Sequence, residues 1–382
     1  MRAGDAALGL DHGRGRKGER MESIFGYMER YDYENLFICQ DRTVGLRAVI
    51  ALHDTTLGPA TGGTRMWTYD SEMDAIEDAL RLARGMTYKY AAAGLNLGGG
   101  KCVVIGDPRR EKSEMLFRAL GRFINRLGGI FLTGEDVGTT LREMEYMRME
   151  TPYIVTLPAS WGGAGPIGGA TAFGVVQGMK SCARAVFGSD SLEGRTVGVQ
   201  GLGAVGSELV PLLVAEGAAV AVTDIDPEKV HAAARPGVRV VPPEEITSMT
   251  ADVFCPCALG GIINDETIPR FDVKIICGSA NNQLREERHG DAVSARGILY
   301  APDYIVNAGG TIFDTDRLHP GGFNRERAMT NVSRIYETMS SLIRISRDEG
   351  IPTYRAADLL AERRIEAVRR AKLVASGGET RM

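Results

Sequence analysis

The chain has 382 residues, 45 Lys+Arg against 49 Asp+Glu and a net charge of -4, so a length of roughly 100–200 residues per domain allows two domains. The mildly acidic balance, with a pI of about 5.9, rules out bulk attraction to nucleic acid or to an anionic membrane. Hydrophobic residues make up 44%, mean hydropathy is -0.11, and no apolar run approaches the ~18 residues that suggest a membrane span.

Residues 1–20 mix Arg2, Arg14, Arg16, Lys17 and Arg20 with Asp5, Asp11 and Glu19 and contain no apolar core, so they are no signal peptide. We expect a disordered tail, or an over-extended start with Met21 as initiator. Leu46–Leu52 reads as a strand, followed by a Gly/Thr-rich loop over 54–64. Ser71-Glu-Met-Asp74 resembles a capping box, and Ile76, Ala79, Leu80 and Ala83 recur at helical spacing behind it. That helix delivers Tyr88-Lys89 near its end. The loop Gly94-Leu-Asn-Leu-Gly-Gly-Gly-Lys101 leads into a strand over Cys102–Ile105. A helix over 112–126 and a strand over Ile130–Thr133 then run into Gly134-Glu-Asp-Val-Gly-Thr-Thr140.

The Gly/Pro cluster at 162–169 marks a domain boundary. After a helix near 170–186, strands at Thr196–Gln200, Ala219–Asp224, Val253–Cys255, Lys274–Cys277 and Ile298–Ala301 alternate with helices, the pattern of βαβ units and a parallel sheet. Residues 325–375 read as continuous amphipathic helix able to return to the first domain. Glycine is the compositional outlier, at 48 residues against a usual ~7%. The cysteines at 39, 102, 182, 255, 257 and 277 match no secreted framework, and Cys255-Pro256-Cys257 lacks a second Cys/His pair. We therefore expect buried small hydrophobes, no metal, and a reducing cytoplasm.

Gly201-Leu-Gly203-Ala-Val-Gly206 fits G-x-G-x-x-G. It directly follows one strand candidate and opens a helix, and the next strand closes on Asp224. In that context the glycines allow a tight turn, close approach to a pyrophosphate and helix–strand packing, with free N–H groups at the phosphates. Asp224 suits two ribose hydroxyls and would repel a 2′-phosphate, which favours NAD over NADP. The loop Gly98-Gly-Gly-Lys101 is no P-loop, because Leu95 and Cys102 stand where that motif needs Gly and Ser/Thr.

Lys89 and Lys101 flank a segment too small and apolar for an ordinary solvated loop. A lysine that is partly desolvated beside a second cation has its pKa pushed down, as a general base near neutrality requires. Asp136, at a strand end in a Gly-rich loop, reads either as an acid reaching a site or as the N-cap of a helix beginning at Val137.

These residues bring a family into view. His53-Asp-Thr-Thr-Leu-Gly-Pro59, Gly62-Gly-Thr-Arg-Met-Trp67, Arg84-Gly-Met-Thr-Tyr-Lys89, Leu95-Asn-Leu-Gly-Gly-Gly-Lys101 and Glu135-Asp-Val-Gly-Thr-Thr140 carry the resemblance in the first half. Cys257-Ala-Leu-Gly-Gly-Ile-Ile-Asn264, Ala301-Pro-Asp-Tyr304, Asn307-Ala-Gly-Gly310 and Asn324-Arg-Glu-Arg327 carry it in the second. From about Met21 to Arg370 the chain resembles the superfamily of glutamate, leucine, phenylalanine and valine dehydrogenases, with the leucine enzymes nearest.

The resemblance implies an α/β fold of two domains: a mixed-sheet substrate and oligomerisation domain over 21–155 and a Rossmann NAD-binding domain over 156–328. C-terminal helices over 329–376 would pack back on the first, and the active-site cleft would lie between the domains and close during hydride transfer. It also implies NAD-dependent, reversible oxidative deamination of an L-amino acid, leucine or another branched-chain or aliphatic one, to a 2-oxo acid and ammonia. The protein would be a cytoplasmic homo-oligomer, an octamer in much of the family, with no nucleic-acid or membrane partner.

In the implied roles, Lys89 binds the substrate carboxylate beside Gly62 and Gly63. Lys101 activates water, Asp136 moves protons at the amino nitrogen, and Asn282 lies near substrate and nicotinamide. Gly201, Gly203, Ala204, Val205, Gly206, Asp224, Ile225, Cys257 and Ala258 complete the NAD contacts.

The sequence departs from the leucine enzymes at the side-chain pocket, where Leu, Ala and two Val become Thr61, Gly134, Thr311 and Asp314. The change gives more room and more polarity, and an unpaired buried carboxylate facing leucine would be costly. Ala164-Gly-Pro-Ile-Gly-Gly169 also lacks the Asn-Pro-Ser-Pro run usual in that loop, and two extra residues lie near His319-Pro-Gly-Gly322. An alternative is the same reaction on a bulkier, polar or basic amino acid. A remoter one is a silent NAD-binding regulator, whose signature would be loss of Lys89, Lys101 or Asp136; all three are present.

Overall fold

The computed structural model describes residues 21 and 23–376, so the N-terminal segment 1–20 lies outside the described residues. Among these residues no helix is long and apolar enough to cross a membrane. The chain divides into two compact units. Among the described residues, one gathers those up to Pro166 with Asp314–Ala328 and those of the last helix from Asp358; the other gathers Ile167–Phe313 with Met329–Ala357.

The first unit begins with α1 (Ile24–Tyr31), β1 (Asn35–Asp41), β2 (Leu46–Asp54) and β3 (Ala60–Trp67). It continues with α2 (Glu72–Ala92), β4 (Gly98–Ile105), α3 (Glu114–Arg126), β5 (Phe131–Glu135) and α4 (Leu141–Arg148). Its sheet runs β1-β2-β4-β3-β5, antiparallel from β1 to β4 and parallel from β4 through β3 to β5.

Strand periodicity explains its layers, since successive side chains point to opposite faces. Val49 and Ala51 join Ile76, Leu80 and Ala83 of α2 in one core. Ala48, Ile50 and Leu52 join Phe117 and Leu120 of α3 and Met144 of α4 in the other. Ser71 caps α2 by accepting from the Asp74 N–H at 3.2 Å, so a capping side chain fixes where that helix starts.

The second unit contains α5 (Gly168–Phe187), β6 (Thr196–Gln200), α6 (Gly206–Ala215), β7 (Ala219–Thr223), α7 (Pro227–Ala233) and β8 (Val238–Val240). Then come β9 (Val253–Pro256), β10 (Ile275–Ile276), α8 (Glu287–Ala295), β11 (Leu299–Tyr300), α9 (Asp303–Val306) and α10 (Gly309–Thr315). The sheet is parallel throughout in the order β11-β10-β9-β6-β7-β8. This is a doubly wound Rossmann sheet whose winding reverses between β6 and β9, the place such sheets bind a dinucleotide. The C-terminal segment forms α11 (Arg325–Ser333), α12 (Ile335–Glu349) and α13 (Thr353–Ser376).

Three expectations need correction, and one strand was missed. Residues 60–64, expected as loop, begin β3, and the Gly98-Gly-Gly-Lys101 run is strand rather than loop. β8 carried no recognised pattern, being a short edge strand exposed over two of its three residues. The continuous C-terminal helix is three helices, interrupted at Arg334 and at Gly350, whose φ of 63° ends α12, with Pro352 beyond it. From Asp358 the last helix packs on the first unit: Arg364 donates to the Leu95 carbonyl at 2.6 Å, and Arg369 pairs with Asp54 at 2.8 Å.

Candidate active and nucleotide sites

Lys101 lies in β4, 4% exposed, with its Nζ 2.7 Å from Asp136 Oδ2. Asp136 follows the last residue of β5. The helix after it starts later, at Leu141, and is capped by Thr140, so Asp136 is not an N-cap. A third group completes the cluster. Arg65, buried in β3, places Nε 2.9 Å from Asp136 and Nη1 3.0 Å from Asp78, while Tyr69 donates to Asp78 at 2.6 Å.

Burial pushes the Asp136 carboxyl up, but the Lys101 ammonium and the Arg65 guanidinium outweigh it and hold it well below the usual carboxylate range. Asp136 is therefore an anion at neutral pH. The partner of Lys101 is a carboxylate, where the sequence suggested a second cation. Lys89 occupies the last turn of α2 and is half-buried.

Glycines bring these strand ends together. A Cβ on Gly62 would stand 1.8 Å from the Gly100 carbonyl oxygen, and one on Gly63 would stand 2.8 Å from Asp136 Cβ. A Cβ on Gly134 would stand 2.2 Å from Thr156 Oγ1. Thr156 Oγ1 in turn donates to Asp314 Oδ2 at 2.6 Å. The other carboxylate oxygen of Asp314 is buried without a partner among the described residues, and burial pushes this carboxyl up to about 6. Thr61, buried in β3, donates to the Pro59 carbonyl at 3.1 Å, and Thr311 lies one turn before Asp314 on α10.

Sequence reasoning gave no role to Arg65 or Thr156. A buried arginine must find carboxylates, and Arg65 stands within a quoted motif, so it left a signal. Thr156 left none.

In the second unit, the Gly201 N–H donates to the Thr223 carbonyl at 2.8 Å and the Leu202 N–H to Asp224 Oδ2 at 2.6 Å. The Asp226 N–H takes the other Asp224 oxygen at 2.9 Å. Gly201 has φ +97°, and a Cβ there would stand 2.7 Å from Ala258 Cβ. A Cβ on Gly206 would stand 2.0 Å from the Gly201 carbonyl oxygen and 3.5 Å from Cys257 Cβ. The structure thus brings Gly201, Gly206, Asp224, Cys257 and Ala258 together. Gly203 faces open space, Ala204 and Ile225 are exposed, and Val205 is half-buried. Asn282, exposed, takes the left-handed conformation at φ 52°, and its carbonyl accepts from the Gly261 N–H at 2.7 Å.

A dinucleotide fits these residues. Each Asp224 oxygen accepts one backbone N–H and retains lone-pair capacity. Gln200 Oε1 and Thr223 Oγ1, at the ends of the adjacent strands β6 and β7, are buried without partners among the described residues.

Comparison with known proteins identifies relatives over most of the chain. The model of the "Glu/Leu/Phe/Val dehydrogenase, dimerisation domain" matches residues 37–153, and that of "Glutamate/Leucine/Phenylalanine/Valine dehydrogenase" matches 226–315. The leucine dehydrogenase of Geobacillus stearothermophilus is 55% identical over 91% of this chain and 95% of its own length. The phenylalanine dehydrogenase of Caldalkalibacillus thermarum is 47% identical over 90% and 93%. The crystal structure of L-tryptophan dehydrogenase from Nostoc punctiforme superposes with a TM-score of 0.82 at 41% identity, covering 91% of this chain and all of that one. The chain belongs to the Glu/Leu/Phe/Val dehydrogenase family and is an amino-acid dehydrogenase that works with a nicotinamide cofactor.

Proposed function

We propose that the protein catalyses reversible, NAD-dependent oxidative deamination of an L-amino acid, leucine or another branched-chain or aliphatic one, to the 2-oxo acid and ammonia. The observation that carries this reading is the pairing of buried Lys101 with half-buried Asp136 at 2.7 Å, in a chain 55% identical to leucine dehydrogenases.

Bound nicotinamide would supply the acceptor for the hydride leaving the substrate Cα. Lys89 binds the α-carboxylate, and the bare backbone of Gly62 and Gly63 lets the substrate lie close. Asp136, an anion between Lys101 and Arg65, takes a proton from the substrate ammonium and returns one to the departing ammonia. Lys101 activates the water that attacks the imine carbon, and its short contact with Asp136 lets a proton pass between them. Asn282 supports substrate and nicotinamide. Thr61, Gly134, Thr311 and Asp314 shape the side-chain pocket.

Gly201, Gly203, Ala204, Val205 and Gly206 receive the pyrophosphate, with Ile225, Cys257 and Ala258 along the adenosine and nicotinamide. Asp224 reads the ribose and selects NAD. The same reading makes the protein a cytoplasmic homo-oligomer, with octamers in keeping with the family resemblance.

The test is NAD reduction by purified protein over Leu, Val, Phe, Trp, Lys and Arg. Leucine or valine as the best substrate supports the reading; silence across the panel overturns it and favours a silent NAD-binding regulator.

A further inference from the structure

Asp314 has a geometry that an apolar pocket does not need. It is 5% exposed, and one carboxylate oxygen is engaged by Thr156 at 2.6 Å. The other has no partner among the described residues. A buried acceptor left open costs free energy unless something completes it.

Its position relates it to the reacting groups. Thr156, which holds Asp314, is the side chain that a Cβ on Gly134 would strike at 2.2 Å, and Gly134, in β5, lies two residues before Asp136 at that strand's end. Among charged and titratable groups, Asp314 feels Arg317, which lowers its pKa, and Glu135, which raises it. It acts in turn on the phenol of buried Tyr90, the neighbour of Lys89. Arg317 leaves the open oxygen unpaired, because its guanidinium donates to the carbonyls of Ile154 and Val155. Gly134 is compatible with this arrangement because it gives Thr156 room to reach Asp314.

We propose that the open oxygen of Asp314, oriented by Thr156, accepts a hydrogen bond from the substrate side chain and so extends the specificity of this enzyme to L-amino acids carrying an O–H or N–H donor. The proposal rests on the amino-acid dehydrogenase reading above and concerns relative preference among substrates. A site built to pair a donor discriminates strongly against an analogue that lacks it.

The experiment compares kcat/KM for two isosteric pairs of L-amino acids, homoserine against norvaline and ornithine against norleucine. It uses the wild-type enzyme, Asp314→Val and the near-isosteric Asp314→Leu, which keeps the shape should the valine variant not fold. We expect the donor/apolar ratio to fall by about tenfold in at least one pair, with norvaline and norleucine turning over better than in the wild type. A response confined to the homoserine pair identifies a neutral donor, and one confined to the ornithine pair an ammonium; either supports the proposal. A fall of less than about threefold in both pairs overturns it while leaving the dehydrogenase reading intact. Absence of wild-type turnover on all four compounds overturns the parent reading and this one with it.

Discussion

Lys101 and Asp136 stand 2.7 Å apart, and the lysine is 4% exposed, so the pair sits where solvent screens it little. Removing the ammonium leaves Asp136 with Arg65 as its cationic neighbour and takes away the group assigned to activate water. Lys101→Ala should lower kcat by about 10²–10⁴-fold while the affinity for NADH, read by fluorescence titration, changes by no more than about twofold. Near-normal turnover would remove the assignment.

Gly134 and Thr156 should be coupled. Gly134→Ala forces a methyl to within 2.2 Å of Thr156 Oγ1, an overpacking that should cost about 1–3 kcal/mol of stability. Adding Thr156→Ala should recover most of that loss, a non-additivity that urea unfolding of the two single variants and the double variant measures. Additive effects would show that the strain is relieved elsewhere.

Asp314 gives the stability a pH dependence of definite sign. Its folded-state carboxyl, pushed up to about 6 by burial from a usual 3.8, keeps its proton where the unfolded chain has lost one. Its stabilising contribution is therefore fully present below about pH 4 and is lost as pH rises through 6. Measured against Asp314→Asn by urea unfolding between pH 4 and 7, the wild type should lose about 2–3 kcal/mol with rising pH. Asp136, held ionised in the folded state, contributes equally in both proteins and cancels. A difference flat across this range would place the proton elsewhere.

Asp224 has both oxygens fixed by backbone N–H groups, from Leu202 and Asp226, which aims the carboxylate whether or not a ribose is bound. Asp224→Ser should reduce the NAD/NADP preference in kcat/KM by about tenfold or more, since the repulsion of a 2′-phosphate goes with the charge. An unchanged ratio would mean that another group reads the ribose.

The Rossmann half was open to sequence reading because its central strands are buried on both faces and appear as short apolar runs, as in Thr-Val-Gly-Val-Gln200 before the glycine fingerprint. The first sheet was harder. Ala60-Thr-Gly-Gly-Thr64 has the composition of a loop, and only the packing of its glycines against Gly100 and Glu135 makes it the start of a strand. Lys101 and Asp136 were visible as chemistry in glycine-rich surroundings, but their partner Arg65 had to be brought 71 residues along the chain to Asp136. Thr156 reaches Asp314 across 158 residues, and no local pattern announces a contact of that kind.

The crowding of backbone at Gly62, Gly100 and Gly134 has an evolutionary consequence. Gly62 and Gly100 admit no side chain without displacing a carbonyl or a ring, whereas a methyl at Gly134 meets first the Thr156 hydroxyl. Diversification of such an enzyme must then pair a change at Gly134 with one at Thr156, or act through Thr61 and Asp314, while the floor at Gly62 and Gly100 stays fixed.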